Sequence, residues 1–238
     1  MHTVLDIRGS IPSVIHVTDG KVHDVNFLDH FVPELGAIYI MDRAYNDFER
    51  LYRFTAADAF FVVREKRNTQ SRVTERRDVD GATGLRCDQT IVLTGTQTKL
   101  KYPRELRRVR FYDTEQQRSL VFLTNNFRLA PLTIAKLYKA RWTVEIFFKW
   151  IKQNLRIKAF YGNSANAVKT QIWIAIAVYC LIAIARQELR LVEYSMSEIL
   201  QIVSFSLFEK SPIFAVFGDH EHTNSKMDLS NHPILFDS

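Results

Sequence analysis

Leu137-Tyr138-Lys139-Ala140-Arg141-Trp142-Thr143-Val144-Glu145-Ile146-Phe147-Phe148-Lys149-Trp150-Ile151-Lys152 is the segment around which this chain is arranged. Its periodicity predicts one helix with two faces. At 100° per residue Tyr138, Arg141, Glu145, Lys149, Lys152 and Arg156 fall within about 80° of one another. Leu137, Val144, Phe147, Phe148, Trp150, Ile151 and Leu155 cover the remaining circumference. The helix is thus expected to bury a broad aromatic face and to present one carboxylate, Glu145, within a stripe of cations and a phenol. Glu145 and Lys149 also have the spacing of an ordinary surface pair, worth about 0.2–0.5 kcal/mol.

At 238 residues the chain is long enough for one large domain or two small ones with a real core. Its apolar content of 47% and aromatic content of 12% exclude a wholly disordered chain. A formal charge of +6 and a pI near 9.3 are compatible with a nucleic-acid partner without requiring one. Cys87 and Cys180 lie far apart, and no Cys or Cys/His spacing suggests zinc, so a reducing compartment and inert thiols are expected. Met1-His2-Thr3-Val4 enters strand-like sequence directly, with no signal peptide, which points to the cytoplasm. The longest apolar run, Ile172 to Ala185, falls short of the roughly twenty residues a membrane span needs. A buried helix and no membrane partner are expected.

Along the chain, Thr3–Arg8 and Pro12–Thr18 read as a hairpin around Gly9-Ser10. A short helix follows over Val25 to Phe31, capped by Asp24 or a neighbour. Ala37 to Met41 reads as a buried strand ending at Asp42, Asp47 caps a helix through about Ala57, and Phe60 to Arg64 is another strand. An Asp after a strand commonly just caps or turns the chain, which is one reading of Asp42. From Glu65 to about Tyr112, β-branched runs alternate with dense charge, as in a small antiparallel β insertion with basic edges. Its arginines could grip phosphates or line a solvated face, since acidic residues dilute them. Ser119 to Asn125 returns as a strand, and Pro131 opens the central helix. The helix from about Ala165 to Leu189 is apolar nearly all round and should be covered by other elements, including the Phe147/Trp150 face. Ser197 to Phe208 reads as a last amphipathic helix, and 218–238 as a mobile tail. His16, His23, Asp19 and Asp24 read as hairpin and cap groups. His220 and His222 are an adventitious metal contact at most.

Tyr138, Arg141, Glu145 and Lys152 resemble the Tyr-Arg-Glu-Lys signature of bacterial insertion-sequence DDE transposases of the insertion-sequence-four type. The flanks from Phe122 to Asn163 and the text Met41-Asp42-Arg43-Ala44-Tyr45 are similar to the same family. The resemblance implies an α/β fold: an RNase H-like core with a β-rich insertion and C-terminal helices, the core's first strand missing. The boundaries expected are 1–68 for the first part of the core, 69–118 for the insertion, 119–217 for the returning strand and helices, and 218–238 for the tail. It implies Asp42 and Glu145 as catalytic, metal-binding carboxylates for Mg²⁺ or Mn²⁺, and Tyr138, Arg141 and Lys152 as groups on DNA phosphates. Lys149, on the same stripe, joins them. The implied partners are double-stranded DNA, as transposon ends and target, and a second copy in a homodimer.

The family's first catalytic Asp lies on a strand upstream of the hairpin that begins here at Thr3. The resemblance therefore implies an N-terminally truncated chain without cleavage activity of its own, Asp6 being a poor substitute. Without that strand the hairpin and the Ala37–Met41 strand must either pair directly or leave a gap that something else fills. Two functions follow: DNA strand cleavage and transfer, incomplete in this chain, or a non-catalytic DNA-binding or dimerising fragment that regulates an intact transposase.

Overall fold

The computed structural model describes residues 1–17, 24–154, 162, 164–206 and 217. The chain divides into two compact units, Met1–Phe147 and Phe148–Ser238. In the first, β1 (His2–Asp6) and β2 (Ile11–His16) form an antiparallel hairpin. His2 stacks on Phe27 with ring centroids 5.4 Å apart, which ties the hairpin to a 3-10 turn over Asp24–His30.

Six strands make the main sheet: β3 (Ile38–Met41), β4 (Phe60–Arg64), β5 (Ser71–Arg77), β6 (Leu85–Leu93), β7 (Leu106–Asp113) and β8 (Arg118–Thr124). Their order is β3-β4-β8-β7-β6-β5. β3 and β4 are parallel and joined by α1 (Phe48–Ala56), while every other neighbouring pair is antiparallel. The strands at 71–113 thus extend the sheet that contains β3, β4 and β8. Direct pairing of hairpin and β3 does not occur: they stay in separate sheets, and β3 is an outer strand among the described residues.

Alternation along the strands gives the sheet two apolar faces. Met41, Phe61, Val63 and Leu123 meet Leu51 and Phe54 of α1 and Phe27 and Phe31 of the 3-10 turn. Ile40, Val62, Val109 and Phe122 meet Ile134, Ala135 and Tyr138 of α3 (Pro131–Ala140). α1 starts as expected, with the Asp47 carboxylate accepting from Arg50 N at 3.1 Å. A short helix α2 (Thr96–Lys101) was not expected. It delivers Tyr102 to the core, where the hydroxyl lies 2.8 Å from Thr55 Oγ1.

β6 and β7 are clamped by a buried ion pair. Arg107 reaches both oxygens of Asp88, at 2.8 and 2.7 Å, and its remaining nitrogen donates to the carbonyls of Asn126 (3.2 Å) and Leu129 (2.6 Å). These carbonyls belong to the connector that enters α3. Gly84 precedes β6 with φ +87°, and a Cβ there would stand 2.8 Å from the Tyr112 carbonyl oxygen. Gly84→Ala is therefore expected to lower stability by about 1–3 kcal/mol, read from the urea midpoint. An unchanged midpoint would contradict the close approach.

The second unit holds most of α4 (Trp142–Asn154), α5 (Ala165–Glu188) and α6 (Met196–Ser206). α5 is capped by Ser164, and α6 by Ser195, which exchanges hydrogen bonds with Glu198. Trp150 meets Tyr179 edge-on at 5.2 Å, and Ile182 packs with Ile199 and Phe217.

The expectation that α5 is a covered helix is corrected. Trp173 (48% exposed), Ile174 (57%), Leu181 (66%) and Ile184 (46%) lie open among the described residues. The cause is geometric: α5 is apolar all round, but Trp150 and α6 meet only the side that bears Tyr179 and Ile182. At 24 residues α5 also has the length and composition of a membrane span, a test that core helices of soluble proteins pass too. The expected tail at 218–238, and Asp19, His23, Arg156, His220 and His222, lie outside the described residues.

Candidate active site

Asp42 stands where β3 ends. Its backbone is extended, and its Oδ1 accepts from Arg43 N, capping a 3-10 turn over Arg43–Tyr45. The capping reading of Asp42 is thus realised, but it uses only one oxygen. Oδ2 lies 3.5 Å from Nη1 of Arg141.

Arg141 sits at a break. The single helix expected across Leu137–Lys152 is two helices, α3 ending at Ala140 and α4 starting at Trp142. The join is tightened by i→i+3 bonds, Arg141 N to Tyr138 O and Val144 N to Arg141 O, both 3.1 Å. The break still turns in the right-handed sense, with Arg141 at φ −53° and ψ −28°, so Tyr138, Arg141 and Glu145 remain neighbours. Glu145 Oε1 accepts from Arg141 Nη2 at 2.5 Å. One guanidinium therefore spans the carboxylate that follows β3 and the carboxylate on α4. The Arg141 side chain is 21% exposed, those of Asp42 and Glu145 50% and 40%.

Tyr138 is the floor of the arrangement. Its ring lies 4.6 Å from that of Phe122 on β8, and the Arg141 guanidinium lies over it at 5.7 Å. Burial pushes the Tyr138 hydroxyl pKa up, and the charge of Asp42 adds to it against the opposing pull of Arg141 and Arg64. Burial opposes the charge of Arg141, but the Glu145 hydrogen bond and the field of Asp42 outweigh it and raise its pKa. Arg64 shifts the other way, lowered first by burial and then by the nearby Arg43.

The structure thus brings together Asp42, Tyr138, Arg141 and Glu145. Lys149 and Lys152 are exposed on α4, beyond the point where the second unit begins. Asp6 is engaged with Arg8 at 3.1 Å, at the end of the hairpin. Among the described residues no three His, Cys, Asp or Glu side chains form a metal cluster. Two oxygen donors that already converge on one cation could hold a single hard divalent ion, since Mg²⁺ commonly takes one or two carboxylates plus water and substrate phosphate. A second ion finds no donor set among these residues. Arg64 and Arg43 were missed as site residues. Their only signal in the sequence was a charge closing each of two apolar strands.

Residues 1–181 match the Transposase DDE domain family. The chain is 33% identical over 221 residues to a Sinorhizobium fredii protein named as the transposase y4zB, covering 91% of this chain and 61% of that protein. It is 29% identical over 184 residues to a Geobacillus stearothermophilus protein named as a transposase for the insertion sequence element IS5377, covering 76% and 48%. A Synechocystis protein named as a transposase for IS4SA is 24% identical over 185 residues, covering 75% and 50%. The chain spans about half to three-fifths of the length of these relatives. With three quarters of its length inside one family match, and with the mixed α/β fold this implies, the chain belongs to the DDE transposase domain family.

Proposed function

We propose that this chain is the catalytic-core portion of a DNA transposase of the Tyr-Arg-Glu-Lys type, an insertion-sequence-four relative, with Asp42 and Glu145 as its metal-binding carboxylates. The observation that carries this reading is the Arg141 guanidinium held between those two carboxylates. Two carboxylates brought close from separate elements repel one another, and a cation between them offsets that repulsion. Mg²⁺ or Mn²⁺ between them would activate the attacking oxygen and stabilise the leaving oxygen of a phosphodiester. The protein's share is positioning. Arg141 offers a fork matched to phosphate, Tyr138 supports it from below, and Lys149 and Lys152 supply point charges along α4. The partners are double-stranded DNA, as transposon ends and target, and a second copy of the chain, in the cytoplasm. The parts are 1–68 and 119–217 for the core, 69–118 for the insertion and 218–238 for the tail.

With only two carboxylates together among the described residues, the chain alone is expected to bind DNA without cutting it. The same observation favours a second reading, a DNA-binding fragment that enters mixed complexes with an intact transposase. A duplex-binding titration at several salt concentrations, run beside a Mg²⁺ cleavage assay, tests both. Binding that weakens with salt is expected, and Lys152→Ala should reduce the log–log slope by about 0.9. Cleavage by the purified chain would overturn the incompleteness, and no DNA binding at any salt would overturn the function.

A further inference from the structure

We propose that the open stripe of α5 is a self-association surface, on which the α5 of a second copy of this chain packs antiparallel about a two-fold axis at Ala177. This gives a face to the second copy in the reading above; it rests on that part of the reading and not on DNA binding.

α5 has one covered side and one open one. Ala175, Ile176, Tyr179, Ile182 and Ala183 are buried. Thr170, Trp173, Ala177, Leu181 and Ile184 are exposed. Successive members of the exposed set are three, four, four and three residues apart, so they line one stripe of the helix. That spacing reads the same in both directions from Ala177.

A two-fold contact needs one patch that complements itself, residue i meeting j while j meets i. The stripe meets that condition. An antiparallel copy centred on Ala177 brings Trp173 level with the partner's Leu181, and Thr170 level with the partner's Ile184. The sizes fit as well. Bulky side chains flank the centre, and the small Ala177 at the centre lets two helix axes approach to about 8–10 Å. Ile174, also exposed, widens the stripe beside Trp173. A parallel copy in register would instead set Trp173 on Trp173 and Lys169 beside Lys169.

The charges at the two ends favour the same direction. Glu188 is the last residue of α5 and is exposed, where it opposes the dipole of its own helix. The first turn of α5 has no acid. In the antiparallel pair Glu188 comes level with Asn166 in the partner's first turn, where the dipole favours an anion. The exposed Lys169 then lies within one helical turn of the partner's Glu188. Arg186, the base in the last turn, is engaged elsewhere, with the carbonyls of Leu191 and Val192 at 3.4 and 3.1 Å.

The test uses the full chain, cleared of nucleic acid, in sedimentation equilibrium. The wild type should sediment at twice the 27.8 kDa of one copy. Ala177→Arg, which sets two cations face to face at the axis, should sediment as one copy. Direction is read from cysteine links in a chain carrying Cys87→Ser and Cys180→Ser. In oxidising buffer Ala177→Cys should join two copies. Thr170→Cys should not, because its two copies stand about 21 Å apart along the helices, beyond the roughly 7 Å a disulfide spans. A wild type that stays at one copy would overturn the surface, and its partition into phosphatidylcholine vesicles would assign the stripe to a lipid bilayer instead. A dimer that survives Ala177→Arg would put the second copy on another face and overturn the stripe. Linking through Thr170→Cys would overturn the antiparallel pairing. Duplex binding is titrated beside these measurements. A dimer broken by Ala177→Arg, in a chain that ignores DNA, would sustain the surface and overturn the transposase reading. A monomer that binds DNA would overturn the surface and leave the DNA reading standing.

Discussion

Arg107→Met is expected to cost about 3–5 kcal/mol, a large share of the roughly 5–15 kcal/mol that stabilises a typical domain. Asp88 is 3% exposed, and without its partner it would be a buried charge in an apolar sheet. Arg77 approaches it at 3.5 Å, too long to replace a bidentate pair at 2.7 and 2.8 Å. The carbonyls of Asn126 and Leu129 would lose their donor at the same time, loosening the entrance to α3. The double variant Arg107→Met/Asp88→Leu removes both charges and should recover most of the loss, because apolar replacements of buried pairs are often neutral or stabilising by about 1–4 kcal/mol. Urea unfolding of the two single variants and the double closes the cycle. A single variant within about 1 kcal/mol of wild type would show that the pair does not carry this part of the fold.

Arg141→Ala is the second large effect, and it should act in opposite directions on two ligands. Duplex DNA should bind at least about tenfold more weakly, with the salt slope reduced by about 0.9, since one phosphate-matched fork is gone. Mn²⁺ alone should bind more tightly. In the free protein Arg141 lies within ion-pair distance of both Asp42 and Glu145, the carboxylates proposed above to hold a divalent ion. A charge pair at about 4 Å is worth about 4 kcal/mol at an effective dielectric of 20. Both carboxylates are near half exposed, and solvent screening reduces the gain to about tenfold in affinity, or 1.4 kcal/mol. Calorimetric titration of Mn²⁺ without DNA measures it. Arg141→Lys, which keeps the charge but not the fork, should leave metal affinity near wild type while still weakening DNA binding. Unchanged or weaker Mn²⁺ binding in Arg141→Ala would show that the guanidinium does not hold the metal position.

Much of this site is legible in sequence because its supports are local. An apolar run sets β3 and therefore where Asp42 emerges, and helical spacing brings Tyr138, Arg141 and Glu145 to one side. The break at Arg141 is not legible, since neither Pro nor Gly marks it and the periodicity continues across it. α2 is polar, begins at Gly95 without a side-chain cap, and leaves no apolar stripe to read. The open face of α5 escaped because composition records how apolar a helix is, not how many of its sides meet a neighbour. Arg64 escaped because a charge at a strand end reads the same in sequence whether it faces solvent or, as here, is half-buried near Arg43 and Asp42.

The outer position of β3 has a kinetic consequence. In a parallel ladder a strand offers alternate amides to each side, and β3 has β4 on one side only among the described residues. Tyr39 and Met41 pack against the core, and Ile40 against the other face. Side-chain burial nonetheless leaves half of the β3 amides without a strand partner, while β4 is flanked by β3 and β8. Deuterium should therefore enter β3 in an alternating pattern, fast and slow by turns, whereas β4 exchanges slowly throughout. An amide ladder of this kind would report the arrival of any further strand beside Asp42 as the disappearance of the fast set.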